Sequence, residues 1–234
     1  MNLFYAPDSD NKLVELPPEE ARHCVQVLRH RVGDTIHWVD GKGTLLSGQI
    51  IEANKRNCKL EVTERQMQFS RRPFYLHLAI APTKQIDRLE WFLEKATEIG
   101  VDEISLLRCA HSERKQVRID RLEKILVSAM KQSLKAYLPQ LHNLSPFPEF
   151  MENADPEANN FIAYVDTDQS KHLKDYCKPG AKTCVLIGPE GDFNPEEVAL
   201  ARERGFRPVS LGPSRLRTET AGVVACTIAN LVNQ

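Results

Sequence analysis

From residue 75 to residue 231, short apolar runs rich in β-branched side chains alternate with segments whose apolar residues recur at helical spacing. Such alternation restricts the chain to a layered α/β fold with a mainly parallel sheet, because each helical segment returns the chain to begin the next strand in the same direction. Strands are predicted at 75–81, 103–107, 161–165, 183–187 and 208–211. Helices are predicted at 87–99, with Leu89, Phe92, Leu93 and Ala96 in register; at 120–134, with Leu122, Ile125, Leu126 and Ala129; at 195–204; and at 218–231. Asn194, Pro195, Glu196 and Glu197 form a strong helix start, with an Asn cap, a proline in the first turn and acids at the positive end of the dipole. Thr218, Glu219, Thr220 and Ala221 open the last helix in a similar way. Its apolar stripe (Ala221, Val224, Ala225, Ile228, Leu231, Val232) is broad enough to face the core, a partner subunit or both.

The first seventy residues read differently. After Pro17-Pro18, the residues Ala21, Cys24, Val25 and Leu28 fall on one helical face. Strand-like runs follow at 35–39, 45–51 and 58–62, separated by Gly41-Lys42-Gly43 and by Asn54-Lys55-Arg56-Asn57. This pattern predicts a small β-barrel with one helix over residues 1–70. Ser70-Arg71-Arg72-Pro73 makes a linker, and the α/β domain occupies 73–234.

Two turns stand out within the α/β region: Ile187-Gly188-Pro189-Glu190-Gly191-Asp192-Phe193 and Leu211-Gly212-Pro213-Ser214-Arg215-Leu216-Arg217. Each follows an apolar run and leads into a helix. Gly188, Gly191 and Gly212 carry no Cβ, so a ligand can approach the peptide plane there, and Pro189 and Pro213 stiffen the turns. Ligands of such sheets bind beyond the carboxyl ends of the strands. A cofactor held by main-chain groups is the expectation. Neither the dinucleotide fingerprint nor the phosphate-loop motif occurs, which argues against nicotinamide and nucleoside triphosphate cofactors.

At 234 residues and 41% hydrophobic content, with no apolar run near the length of a membrane span, the chain reads as globular, with no membrane partner. Its first residues lack the basic and apolar regions of a secretory signal, so a cytoplasmic location is expected. Cys24, Cys58, Cys109, Cys177, Cys184 and Cys226 are scattered without metal spacing. They are read as reduced packing residues, with no disulfide framework and no metal. The formal net charge of −1 speaks against a general affinity for nucleic acid. Between residues 108 and 135, however, eight basic residues stand against three acidic ones. That excess suits a localised phosphate contact, or else a solvated helix face whose charges are compensated by other elements.

Several blocks together carry a family resemblance: Arg22-His23 with Val27-Leu28-Arg29 and Gly33; Lys84 with Lys95-Ala96-Thr97-Glu98-Ile99-Gly100-Val101; Ser112-Glu113-Arg114; Gln132-Ser133; Pro139; and above all Ile187-Gly188-Pro189-Glu190-Gly191 and Leu216-Arg217-Thr218-Glu219-Thr220-Ala221. Over nearly its whole length the chain resembles the RsmE family of knotted SPOUT methyltransferases. The resemblance implies an N-terminal PUA-like barrel for RNA, a C-terminal trefoil-knot domain that binds S-adenosylmethionine, and a homodimer. It also implies methylation of N3 of uridine 1498 in 16S ribosomal RNA, within the 30S subunit. Asp192, Ser214-Arg215 and the stretch Lys131-Gln132-Ser133-Leu134-Lys135 depart from the commonest family pattern.

Under that resemblance, cofactor contacts fall on Ile187, Gly188, Pro189, Glu190, Gly191, Leu211, Gly212, Leu216, Arg217, Thr220 and Ala221. Neutral uridine N3 carries a proton, so transfer needs a base or a cationic setting that favours the anion. Arg217 is the first candidate for stabilising charge on O2 or O4. Glu219 either orients Arg217 or takes the proton, and Glu190 is the other candidate base. Expected RNA contacts are Arg22, His23, Arg29, Arg31, Lys84, Arg114, Arg121 and Gln132. Lys95 and Glu98, three apart on a helix, form a local ion pair. The alternatives are a knotted methyltransferase for another RNA and a non-enzymatic RNA-binding protein, which would give no calorimetric saturation with the cofactor.

Overall fold

The computed structural model describes residues 2–54, 57–165, 168 and 171–234, so Lys55 and Arg56 of the predicted turn lie outside the described residues. The chain forms two compact units, Met1–Arg71 with Val127–Leu138, and Arg72–Leu126 with Pro139–Gln234.

In the first unit, β1 (Leu3–Tyr5), β2 (Leu13–Glu15), β3 (Thr35–Val39), β4 (Leu45–Ala53) and β5 (Cys58–Gln66) form one sheet in the order β1-β3-β4-β5-β2. Only β1 and β3 are parallel. The helix expected after Pro17 is present as α1 (Pro18–Arg22), which widens into a π-helical turn at His23–Val27. Ala21 and Cys24 are fully buried beneath it with Phe4, Trp38, Leu46 and Leu60. The Trp38 ring is completely buried, and its Nε1–H donates to Ser9 Oγ at 3.0 Å, which removes the cost of an unpaired donor. β1 and β2 hold three residues each, too few for a period to show in sequence.

The second unit contains β6 (Tyr75–Ile80), α2 (Ile86–Ile99), β7 (Glu103–Arg108), α3 (Ile119–Gln132), β8 (Gln140–Pro146), α4 (Phe147–Asn153), β9 (Asn159–Ala163), β10 (Lys182–Ile187), α5 (Pro195–Glu203), β11 (Arg207–Val209) and α6 (Thr218–Val232). The last residues of α3 group with the first unit. All six strands are parallel in the order β11-β9-β10-β6-β7-β8, as the alternation predicts. Chain order reverses beside β6, with β7 and β8 added on one side and β10, β9 and β11 on the other. A crevice beyond the carboxyl ends follows from that reversal.

β10 is apolar throughout its second half because residues 183–187 are buried on both faces. α6 packs on α2 and on β6 and β10. Asn230 of α6 donates to Gly100 O at 2.8 Å, and Arg72 donates to the same carbonyl at 2.6 Å, so the turn ending α2 is tied to the last helix. Where β8 and α4 stand, sequence periodicity predicts nothing. β8 is an edge strand with mostly half-buried residues, and α4 has seven residues, so neither shows a continuous apolar signature. β9 begins two residues earlier than expected, and there Asn160 Nδ2 donates to Asp155 O at 2.7 Å while its Oδ1 is buried without a hydrogen-bond partner among the described residues. Tyr164 and Val165 follow the end of the strand, where Tyr164 N–H donates to Val209 O at 3.3 Å. All six cysteines are free and buried, in line with their reading as packing residues.

A polar cluster crosses the sheet at β6 to β8. His77 Nε2 lies 2.8 Å from Ser105 Oγ, His142 Nε2 lies 2.8 Å from Glu103 Oε1, and Tyr75 donates to Glu103 Oε2 at 2.8 Å. Burial pushes the His77 imidazole down to about 4, against the attraction of Glu103. An unfolded chain takes up this proton near pH 6.5 and the folded one only near 4, so stability falls as pH drops through that window. The loss by pH 4.5 is about 2 kcal/mol. In urea unfolding at pH 7 and pH 4.5, His77→Gln is expected to shrink the wild-type stability difference by that amount. An unchanged difference would remove His77 as the cause.

Candidate active site

The turn after β10 is fixed from within. Asp192 N–H donates to Pro189 O at 2.9 Å, and the Asp192 backbone takes φ 59°. Its carboxylate accepts Phe193 N–H at 2.8 Å and Val165 N–H at 3.1 Å, joining the ends of β10 and β9. Phe193 then enters the core, and Asn194 caps α5 as the sequence predicts, with Glu197 completing a capping box. Glu197 also accepts Ala110 N–H at 2.8 Å. The turn after β11 is set by Ser210 Oγ, which accepts Gly212 N–H at 3.1 Å, with Gly212 at φ 123° where a side chain would be strained.

These turns wall a cleft of about 890 Å³. Ile187, Gly188, Pro189, Glu190 and Gly191 line it from one side. Leu211, Gly212, Leu216, Arg217 and Ala221 line it from the other. Thr220 is not among the lining residues; the first turn of α6 presents Thr218 instead. The expected side-chain cap of α6 is also corrected. Arg217 occupies the cap position in extended conformation without a side-chain bond, and Thr218 Oγ1 donates to Gly188 O at 3.1 Å. A hydroxyl that would ordinarily serve the helix start thus joins the two turns. Thr218→Val keeps the shape and leaves Gly188 O without this donor, so unfolding free energy is expected to fall by about 1–2 kcal/mol. Chemical denaturation with unchanged stability would show that the bond carries no weight.

Charged groups follow their own geometry. Glu190 lines the cleft, and its Oε1 accepts Lys84 N–H at 2.9 Å. Arg114 donates to Thr83 O at 3.0 Å and Lys84 O at 2.6 Å, and His111 Nδ1 stands 3.0 Å from Gly191 O. Arg114, expected on RNA, therefore braces the segment that holds Glu190. Glu219 was expected either to orient Arg217 or to take the proton. Its carboxylate lies 3.8 Å from Arg88 Nε, a residue that sequence does not single out, since the two are brought together only by the packing of α6 on α2.

Of the other expected RNA contacts, Arg22, His23, Arg29, Arg31 and Gln132 are exposed. Asp34 fixes the loop carrying Arg29 and Arg31, accepting Arg31 N–H at 2.9 Å and facing His30 Nδ1 at 3.2 Å. Lys84 pairs with Glu113 at 2.8 Å, and Arg121 pairs with Glu90 through two contacts of 2.6 and 2.8 Å. Lys131 pairs with Glu20. Part of the basic excess is thus compensated by carboxylates remote in sequence. Lys95 and Glu98 form the expected pair at 3.0 Å. Among the described residues there is no group of three or more His, Cys, Asp or Glu placed to hold a metal ion, and no helix long and apolar enough to cross a membrane.

A parallel sheet with a peptide-lined cleft at its carboxyl edge, together with a separate β-rich unit, defines a two-unit α/β protein. Residues 70–230 match the model of the RNA methyltransferase domain, and residues 16–63 match that of the RNA methyltransferase PUA domain. The chain belongs to the RNA methyltransferase family. A Porphyromonas gingivalis crystal structure, described as a probable rRNA-methyltransferase, is 42% identical with a TM-score of 0.92, covering 100% of this chain and 98% of that one. A Neisseria gonorrhoeae ribosomal RNA small subunit methyltransferase E, solved bound to S-adenosyl methionine, is 28% identical with a TM-score of 0.88 and the same coverage. The ribosomal RNA small subunit methyltransferase E of Synechocystis is 30% identical over 93% of this chain and 72% of its own length.

Proposed function

We propose that this chain transfers a methyl group from S-adenosylmethionine to N3 of a uridine in 16S ribosomal RNA. The observation that carries the reading is the cleft, whose volume falls in the range of roughly 300–1,000 Å³ usual for small-molecule sites. Its walls suit the cofactor. Gly188, Gly191 and Gly212 place main chain without a Cβ on the cleft wall for an adenosine, and Ile187, Leu211, Leu216 and Ala221 supply apolar surface. When bound, the cofactor supplies an electrophilic methyl carbon on a sulfonium.

The chain's residues do the rest. The turns align the acceptor with that carbon, which removes much of the entropic barrier. Arg217, exposed on the cleft wall, stabilises negative charge on a uracil oxygen. Of the two candidate bases, Glu190 stands at the cleft surface with one oxygen bound to Lys84 N–H, and the other takes the N3 proton. Glu219 Oε2 is closed to solvent and acts from behind the wall. The N-terminal residues 1–70 serve as a PUA-like RNA-binding domain, and Arg22, His23, Arg29 and Arg31 contact phosphates, which position RNA without reading its sequence. Residues 73–234 form the knotted catalytic domain, which works as a cytoplasmic homodimer on the 30S subunit. The exposed Leu231 on α6 and Trp91 on α2 support a subunit contact through these helices.

The test is incubation of purified protein and labelled cofactor with 30S particles from a strain lacking this modification, followed by mass spectrometry of the RNA. One methyl group on N3 of a single 16S uridine is expected. Label confined to another RNA, or absent from RNA altogether, would refute the proposal.

A further inference from the structure

We infer that Arg88 is a substrate-facing cation of this cleft and that Glu219 is the residue that positions it; the inference rests on the methyl-transfer reading above. Arg88 stands in the first turn of α2 and lines the same cleft as Gly188 and Arg217, with 34% of its side chain exposed. Glu219 lies behind it with 9% exposed. Its Oε2 is buried without a hydrogen-bond partner among the described residues, and its other oxygen faces Arg88 Nε at 3.8 Å.

A carboxylate withdrawn from water in this way persists only beside a compensating cation. At 3.8 Å the contact is an ion pair rather than a hydrogen bond, so charge holds the guanidinium in place. Contact through Nε leaves the two terminal nitrogens of the fork for the cleft. The chemistry has a use for them. As the N3–H bond breaks and its proton passes to a carboxylate, the electron pair left on N3 forms the bond to the methyl carbon, whose bond to sulfur breaks. Before that bond is complete, negative charge spreads over both O2 and O4, which flank N3. Arg217 attends one oxygen and Arg88 the other. Two cations favour the anion more than one, and Glu219 keeps the second aimed while remaining out of contact with the base.

Arg88→Met is expected to lower kcat about 100-fold, as loss of one oxyanion donor does. KM for 30S particles and calorimetric Kd for S-adenosylmethionine stay within about threefold, the pattern of an interaction made in the transition state. The rise of kcat with pH moves to more alkaline values, because the substrate anion has lost a cation, and Arg88→Lys recovers part of both effects. Adding Glu219→Gln to Arg88→Met costs no further activity, since the carboxylate acts only through the guanidinium. Thermal unfolding of ligand-free protein reads the pair independently of any reaction. Arg88→Met lowers Tm by stranding a buried carboxylate, and the double variant regains it.

A raised KM with a shallower salt dependence and unchanged kcat would make Arg88 a phosphate contact and overturn the inference. Additive losses of activity, or independent Tm changes, would overturn it as well. If wild-type protein methylated no RNA while the Tm coupling held, the methyl-transfer reading would have failed and the Arg88–Glu219 pair would stand.

Discussion

Replacing Glu190 with Gln is expected to lower kcat for methyl transfer about a hundredfold or more, the usual scale of a lost general base. The substitution separates two roles that Glu190→Ala would merge. A Gln side-chain oxygen still accepts the Lys84 N–H now bound at 2.9 Å, so the brace running from Arg114 through the Lys84 segment to the cofactor turn survives. What disappears is a group able to take a proton at neutral pH. Kd for the cofactor should therefore stay within about twofold, because nothing that binds it before reaction has changed. Single-turnover rates on 30S particles, with calorimetry for the cofactor, make the measurement. A wild-type rate in Glu190→Gln would end its assignment as base. The proton would then leave to water or to Glu219, whose oxygens would have to swing out from behind Arg88.

Gly222→Ala, next to the cleft-lining Ala221, is expected to destabilise the protein although it improves helix propensity. In an exposed helix, removing a glycine gains about 1 kcal/mol. Here a Cβ would stand 2.5 Å from Phe92 Cε2, 2.7 Å from Phe92 Cδ2 and 3.2 Å from Ile80 Cδ1. Phe92 and Ile80 are fully buried, so neither retreats without moving its own neighbours. Overpacking at such a place costs about 1–3 kcal/mol, more than the propensity gain at the upper end of that range. Because α6 also presents Arg217, Thr218 and Ala221 to the cleft, its displacement from α2 would disturb the cleft as well. A fall in Tm of about 4 °C is expected, at roughly 2–4 °C per kcal/mol for a chain of this size. A Tm at or above that of wild type would show that the helices separate without penalty.

The legibility of the chain varied with the range of the forces involved. Asn194 and Glu197 act within four residues of one another, and the Asn cap with its acidic first turn was evident in sequence, although the reciprocal bond of Glu197 was not. Thr218 offered the same local signal, but its hydroxyl went to Gly188 O, a carbonyl 30 residues away that was already nearby in space. The long helices α2 and α6 were legible through their periodic apolar faces. β1, β2 and α4 were too short to carry a period, and edge strand β8 had no second buried face to impose one. Arg121 and Lys84, expected on RNA, meet Glu90 and Glu113, partners that only tertiary structure supplies.

By itself, the sequence determined the alternating α/β layer, the β-rich beginning and the two glycine-bearing turns of the cleft. These rest on burial periodicity and backbone freedom, which act over a few residues and leave a local record. Only the tertiary structure decided which strand lay beside which, that Val127–Leu138 joins the first unit, and that the buried carboxylate of Glu219 meets Arg88. Charge pairing acts through space and is indifferent to separation along the chain, so no spacing of residues announces it.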